Sequence, residues 1–196
     1  NLEARQKRGA LLYQMGNYAA AVNDLEFAAP NPQTANPELL KYRAEAALQS
    51  GQPLKAEADL KILGKQKSSS SDTAWIHAKQ KTVQDSISKL RQYRDALENA
   101  AKKQPKNLKT RVKAAKANLL LGEADRGLKL LEPQKNKKPQ TDQEAVVTIE
   151  AFLQKKDTSS ARKVLEKAER AGLNVKGVQE RFIAPKLNQA TPKNQN

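Results

Sequence analysis

The sequence predicts an all-α fold, a solenoid of antiparallel helix pairs, and three features carry that expectation. The first is a recurring frame of small and large residues. It runs Gly16, Tyr18, Ala21, Val22, Leu25 and Ala28, returns as Gly51, Ala56, Leu60 and Leu63, and again as Gly122, Gly127, Leu128 and Leu131. Two further copies lack the glycine: Tyr93, Ala96, Leu97 and Ala100, then Ala161, Val164, Leu165 and Ala168. The second feature is the period. The central small residues Ala21, Ala56, Ala96, Gly127 and Ala161 stand 35, 40, 31 and 34 residues apart, and a period near 34 marks stacked helix–turn–helix units. The third is a lean composition. Hydrophobic residues make up 38% and aromatics 4%, which suits thin helix–helix layers that bury each unit only against its neighbours.

The elements follow in order. A first helix is expected over about residues 3–14, with Leu11, Leu12 and Met15 apolar; Gly16 and Asn17 turn the chain and Ala19–Ala28 return it. Pro30, Pro32 and Pro37 then break it, since proline lacks a backbone donor and crowds the preceding turn. The second unit runs Glu38–Leu48, turns through Ser50–Pro53 and returns through Leu54–Leu63, with Pro53 where a first helical turn accepts it. Ser68–Ser71 reads as a polar linker, and Ser71 or Asp72 as an N-cap. The next helix carries Trp75, Ile76, Val83, Ile87 and Leu90. No glycine separates it from the return helix expected at Tyr93–Lys103, so the pair also reads as one bent helix and as the weakest repeat. The fourth unit covers Leu108–Leu121, turns at Gly122–Glu123 and returns through Ala124–Leu131; Pro133 and Pro139 bracket a basic loop at 134–138. Thr141 with Glu144 forms a capping-box signal for Glu144–Leu153. The chain then turns through Lys155–Ser159, returns through Ser160–Arg170 and stops at Gly172.

The expected organisation is therefore two repeats over 2–67, a linker and an atypical long repeat over 68–107, two repeats over 108–170, a capping helix over 171–184 and a disordered tail over 185–196. That makes about ten repeat helices and a cap.

Composition narrows the function. Cysteine is absent, which excludes disulfides, thiol catalysis and thiolate metal sites and suits either redox compartment. No apolar run approaches the roughly 18 residues of a membrane-spanning helix, and no basic–apolar–small leader pattern stands at the N-terminus. The start at Asn1 is compatible with a processed protein or a fragment. Net charge is +15 and uneven. Residues 1–70 hold 9 basic against 7 acidic groups, +2, and residues 71–196 hold 27 against 14, +13. The densest stretch, 99–138, has 12 basic and 3 acidic residues and no aromatic.

These frames resemble the tetratricopeptide repeat (TPR) family, over about residues 2–170. The likeness is closest in the first unit, at Gly9, Gly16, Tyr18, Ala21, Leu25 and Ala28. It continues through Ala44, Ala47, Gly51, Ala56 and Leu60, through Ala115, Gly122, Gly127 and Leu131, and through Phe152, Ala161, Leu165 and Ala168. The third unit has Arg91 where the turn glycine belongs. The resemblance implies a right-handed superhelical solenoid whose first helices line a groove for peptides or helices. Carried over position by position, the groove residues are Gln6, Ala10, Tyr13 and Gln14, then Lys41, Glu45, Leu48 and Gln49. Lys109, Lys116, Leu119 and Leu120 follow from the fourth unit, and Val146, Glu150 and Leu153 from the fifth. The family's clamp for chain-terminal carboxylates is not expected, because Gln6 and Ala10 replace its first-unit Lys and Asn and Tyr42 replaces its second-unit Asn.

Catalytic constellations are not expected. His77 is the only histidine, and one imidazole without cysteines makes no zinc site. The eight glycines stand singly at turns rather than in a phosphate loop, and Glu57–Asp59 and Glu166–Glu169 read as solvated helix faces. No cofactor is implied. Trp75 reads as inter-repeat packing or, if exposed, as a binding anchor. Lys109, Lys113 and Lys116 share one helix face and, with Lys102, Lys103 and Lys106, form a basic ridge.

Two function classes result. One is a non-catalytic scaffold that holds acidic or helical protein segments in a larger assembly. A bacterial cell-envelope machine for exopolysaccharide export or pilus biogenesis is the expected setting, in the periplasm, with the cytoplasm also allowed. The other is a basic repeat module for an anionic polymer, RNA or an acidic polysaccharide. Nucleic acid is the less favoured ligand, since single-strand readers interleave stacking aromatics with their cations.

Overall fold

The computed structural model describes residues 1–66, 70–132 and 139–179. The rest of the expected linker, the loop at 134–138, the cap beyond 179 and the tail lie outside the described residues. Among the described residues there are nine α-helices, one 3-10 turn and no strand. They fall into two compact units, 1–92 and 93–196.

In the first unit α1 (Leu2–Gln14) pairs with α2 (Tyr18–Ala28), and α3 (Pro37–Gln49) with α4 (Pro53–Leu63). The pairs stack through Leu25 and Ala29 of the first against Leu39 of the second, with Ala28 and Tyr42 packed beside them. The long helix α5 (Ser70–Lys103) begins in this unit, where it buries Ile76, Val83 and Ile87. In the second unit α6 (Leu108–Leu120) pairs with α7 (Ala124–Leu131), and α8 (Asp142–Gln154) with α9 (Thr158–Arg170). Val112, Ala115, Leu131 and Val147 form a core across α6, α7 and α8. Ala145, Ile149, Ala161, Leu165 and Ala168 form another, closed by Val175 and Val178. Residues 176–179 make a helical turn, the described start of the expected cap.

One turn geometry closes every pair. After α1 the Gly16 amide donates to the Tyr13 carbonyl and the Asn17 amide to Leu12, at 3.0 and 2.8 Å. The same two bonds recur at Gly51–Gln52, Gly122–Glu123 and Lys156–Asp157, the double capping of a helix C-terminus by a left-handed residue. The left-handed φ is 75° at Gly16, 74° at Gly51 and 75° at Gly122, and Lys156 holds it at 61° despite its side chain. The pairs then cross where side chains are smallest. Ala21, Ala56 and Ala161 are buried. A Cβ on Gly9 would lie 2.8 Å from Leu25, and one on Gly127 would lie 3.1 Å from the Ala115 carbonyl.

At the third pair the single helix, the alternative to a helix–turn–helix unit, is the one that forms. α5 runs unbroken through Arg91 and Gln92, and Ala96, the expected crossing residue, is exposed. No glycine stands there to take the left-handed conformation that ends the other first helices. The buried side of this stretch is Arg94, Glu98 and Ala101. Arg94 and Glu98 are held by polar contacts: Arg94 to Glu123 at 2.6 Å, and Glu98 accepting from Asn118 at 2.8 Å and Arg126 at 2.7 Å. At α8, Thr141 accepts from the Glu144 amide as expected, whereas the Glu144 carboxylate accepts from the Gln140 amide.

Asp59 corrects a second expectation, because it does not sit on a solvated face. It is 3% exposed and accepts two bonds from Arg43, Nε to Oδ2 at 2.8 Å and Nη2 to Oδ1 at 2.5 Å; Arg43 also reaches the Ala29 carbonyl at 3.3 Å. The first pair repeats the device 35 residues earlier, with Arg8 and Arg5 on buried Asp24. The two acids differ. The Arg8 hydrogen bond, against some desolvation, holds Asp24 below the usual carboxylate range. Burial pushes Asp59 up against the pull of Arg43.

Two outcomes follow from these contacts. Lys156→Gly removes left-handed strain at a modest entropic cost, so urea denaturation should show a gain of about 0.5–1 kcal/mol; a loss would mean that Lys156 is unstrained. Removing one member of a buried ion pair leaves the other uncompensated, so Arg43→Ala should cost about 3–5 kcal/mol, whereas Arg43→Met with Asp59→Leu should be close to neutral. Equal losses in both variants would contradict this account.

Candidate functional site

Three helices of the first unit, α1, α3 and α5, are tied together by one line of side chains. Tyr13 of α1 donates from Oη to Glu45 Oε2 of α3 at 2.5 Å, and Lys79 Nζ of α5 meets Glu45 Oε1 at 2.6 Å. Both carboxylate oxygens are thereby used. Burial pushes the Glu45 pKa up, but hydrogen bonds from Lys79 and Tyr13 outweigh it and the net shift is downward. The same bond, seen from the phenol, pushes Tyr13 up to about 12, since ionising it would set two anions together. Tyr13 also packs on Tyr18 and Tyr42, with ring centroids 5.7 and 5.4 Å apart. A second line joins Lys41 to Asp72 at 2.6 Å and to Glu38 at 3.0 Å, and the bond to Asp72 raises the Lys41 pKa.

Leu48 lines a crevice with Ala44, Glu45, Leu60, Trp75, Lys79 and Val83. The crevice encloses essentially no space for even a water molecule, far from the ~300 Å³ at which small-molecule pockets begin. Trp75 is half-buried there with Lys79 5.7 Å from its ring centroid, so it is neither a full core residue nor an exposed anchor. Gln6 is exposed on α1, and His77 is exposed on α5.

In the second unit Lys109, Lys113 and Lys116 are exposed on α6. Lys102 and Lys103 are exposed at the end of α5, and Lys106 in the connection that follows. None of the six forms an ion pair with a described residue. Leu119, Leu120 and Glu150 are half-buried. Leu119 packs on the core of α6, α7 and α8, and its carbonyl accepts from Gln154 at 3.1 Å. The structure thus joins Tyr13 to Glu45 and brings Leu48 beside Glu45 on one crevice, whereas Lys41 pairs elsewhere. The sequence reading missed Asp72 and Lys79, which complete these lines. Their signal was available, as Asp72 and Lys79 stand seven residues apart on one face of α5, like Glu38 and Glu45 on α3.

These stacked pairs, with left-handed turns and small residues at each crossing, define a TPR-like helical-repeat fold. No family model matches the chain, and no curated protein matches it. Among solved structures, a tetratricopeptide repeat protein of Parabacteroides merdae is 18% identical, with a TM-score of 0.43, over 94% of this chain and 70% of its own. A thermophilic TPR protein of Thermus thermophilus is 21% identical, with a TM-score of 0.41, over 95% of this chain and 100% of its own. Among the described residues no helix is long and apolar enough to cross a membrane.

The Tyr13–Glu45 bond has a pH signature. A raised phenol pKa contributes stability that is complete below the unfolded value of 10.0 and lost as pH rises through about 12. An absorbance titration should find one of the four tyrosines ionising well after an ordinary phenol. Glu45→Gln should bring that step back toward 10; an unchanged titration would show that the bond does not persist in solution.

Proposed function

We propose that this chain is a non-catalytic scaffold that holds a segment of another protein during assembly of a larger complex. The observation that carries the reading is the Tyr13–Glu45–Lys79 line. It fixes three neighbouring helices before any partner arrives, so little ordering entropy remains to be lost on binding. The crevice at Leu48 and Trp75 is too small to enclose a metabolite, so contact there would be made across a surface. A bacterial cell-envelope machine, for exopolysaccharide export or pilus biogenesis, is the proposed setting. Composition supports it in one respect, since a chain without cysteine is indifferent to an oxidising compartment.

A second reading, a module for an acidic polysaccharide or RNA, draws on the six exposed lysines. Binding of that kind is dominated by counterion release and falls steeply with salt.

A photoreactive amino acid at Leu48 separates the two. Illumination in the native cell should yield one discrete, protease-sensitive protein adduct, and Tyr13→Ala, which breaks the line without touching position 48, should diminish it. An adduct that resists protease and yields to nuclease or glycosidase would replace the scaffold with the polymer module.

A further inference from the structure

At two matched positions α6 carries the inverse charge of α3. Both helices have thirteen residues and end in the same glycine turn, so their positions correspond one to one. Lys109 stands where α3 has Glu38, Lys116 where it has Glu45, and Leu120 where it has Gln49. In the other two thirteen-residue first helices the corresponding positions are Glu3 and Ala10 in α1, and Gln143 and Glu150 in α8. Only α6 places cations there.

The surroundings differ in the same sense. In the first unit the groove charges are spent internally, Lys41 on Glu38 and Asp72 and Lys79 on Glu45. On α6, Lys109, Lys113 and Lys116 are exposed and have no carboxylate among the described residues. The outer pair spans ~10 Å at 1.5 Å per residue, and half-buried Leu119 and Leu120 follow at the end of the same helix.

We infer that this face of α6 is the docking site for an acidic protein segment, with carboxylates spread over about two helical turns and an apolar residue beyond them. The inference rests on the scaffold reading and names its ligand chemistry. Charge complementarity selects the acidic residues, and the leucines select a side chain that a polysaccharide or a phosphodiester backbone lacks. No aromatic lies between 99 and 138 to stack a base, which disfavours single-stranded RNA. The lysines accelerate encounter, and the leucines lengthen the life of the complex.

The test uses the full chain and two labelled probes. One is a helical peptide with glutamates at i, i+4 and i+7 and leucines at i+10 and i+11; the other is a 20-nucleotide oligouridylate. The peptide should bind, and its glutamine analogue should bind about tenfold more weakly. Lys109→Glu with Lys113→Glu and Lys116→Glu should weaken the peptide by about the same factor and flatten its salt dependence. The matched reversal of exposed Lys61, Lys65 and Lys81 in the first unit should not. A triple Lys→Gln variant of the same α6 residues, with unchanged helicity and melting, guards against a folding defect. Equal losses from both reversals, no measurable peptide binding, or tighter oligouridylate binding through the same lysines would each overturn the inference. A Leu48 adduct that persists when the peptide ignores α6 would leave the scaffold reading standing and remove this one alone.

Discussion

Everything in this fold depends on a turn that must pass through left-handed backbone. A helix end leaves carbonyls without partners, and here two of them are capped by the two amides that follow, in the same pattern after α1, α3, α6 and α8. The cap fixes where the return helix starts and how it leans, so the small residue always meets the preceding helix at the same height. Crossing that closely, the pairs need glycine or alanine at the contact. Within each unit the first helices then stand side by side, α1 with α3 and α6 with α8. Where the turn residue is missing, at Arg91–Gln92, the helix continues and no pair forms.

Much of this was legible in the sequence, because turn glycines and crossing alanines leave periodic marks. The frames at Ala21, Ala56, Gly127 and Ala161 all coincide with buried crossings. The frame at Ala96 misled: an alanine in register is cheap on any helix, and only the turn residue discriminates a pair from a continuous helix. Lys156 was the converse, a left-handed position with no glycine to announce it.

The candidate site was legible by position but not by partnership. Tyr13, Glu45 and Leu48 do stand together, since helical register alone fixes their face. Their bonds to one another and to Lys79 depend on rotamers and inter-helix distances that no single helix encodes. The same limit hid the buried ion pairs. A lone Asp59 reads as surface; Arg8 with Asp24 and Arg43 with Asp59 in one register read as a device. Arg111 shows the energetic stake. It occupies the register position of Arg5, Leu130 stands where Asp24 would be, and its Nε and Nη1 find no acceptor among the described residues although it is 5% exposed. Buried donors left without acceptors weaken what surrounds them.

The uniform thirteen-residue first helices have a consequence for how such a chain changes over time. Each return helix starts sixteen residues after its partner, at Tyr18, Pro53, Ala124 and Thr158, so a helix pair can be exchanged for another of equal length without moving the crossing. Recombination between pairs would then shuffle groove chemistry while leaving the frame untouched. On that view the exchangeable piece is the helix pair, since α3 must bring α4 and its Asp59 to keep Arg43 paired, and a new binding preference needs no new architecture.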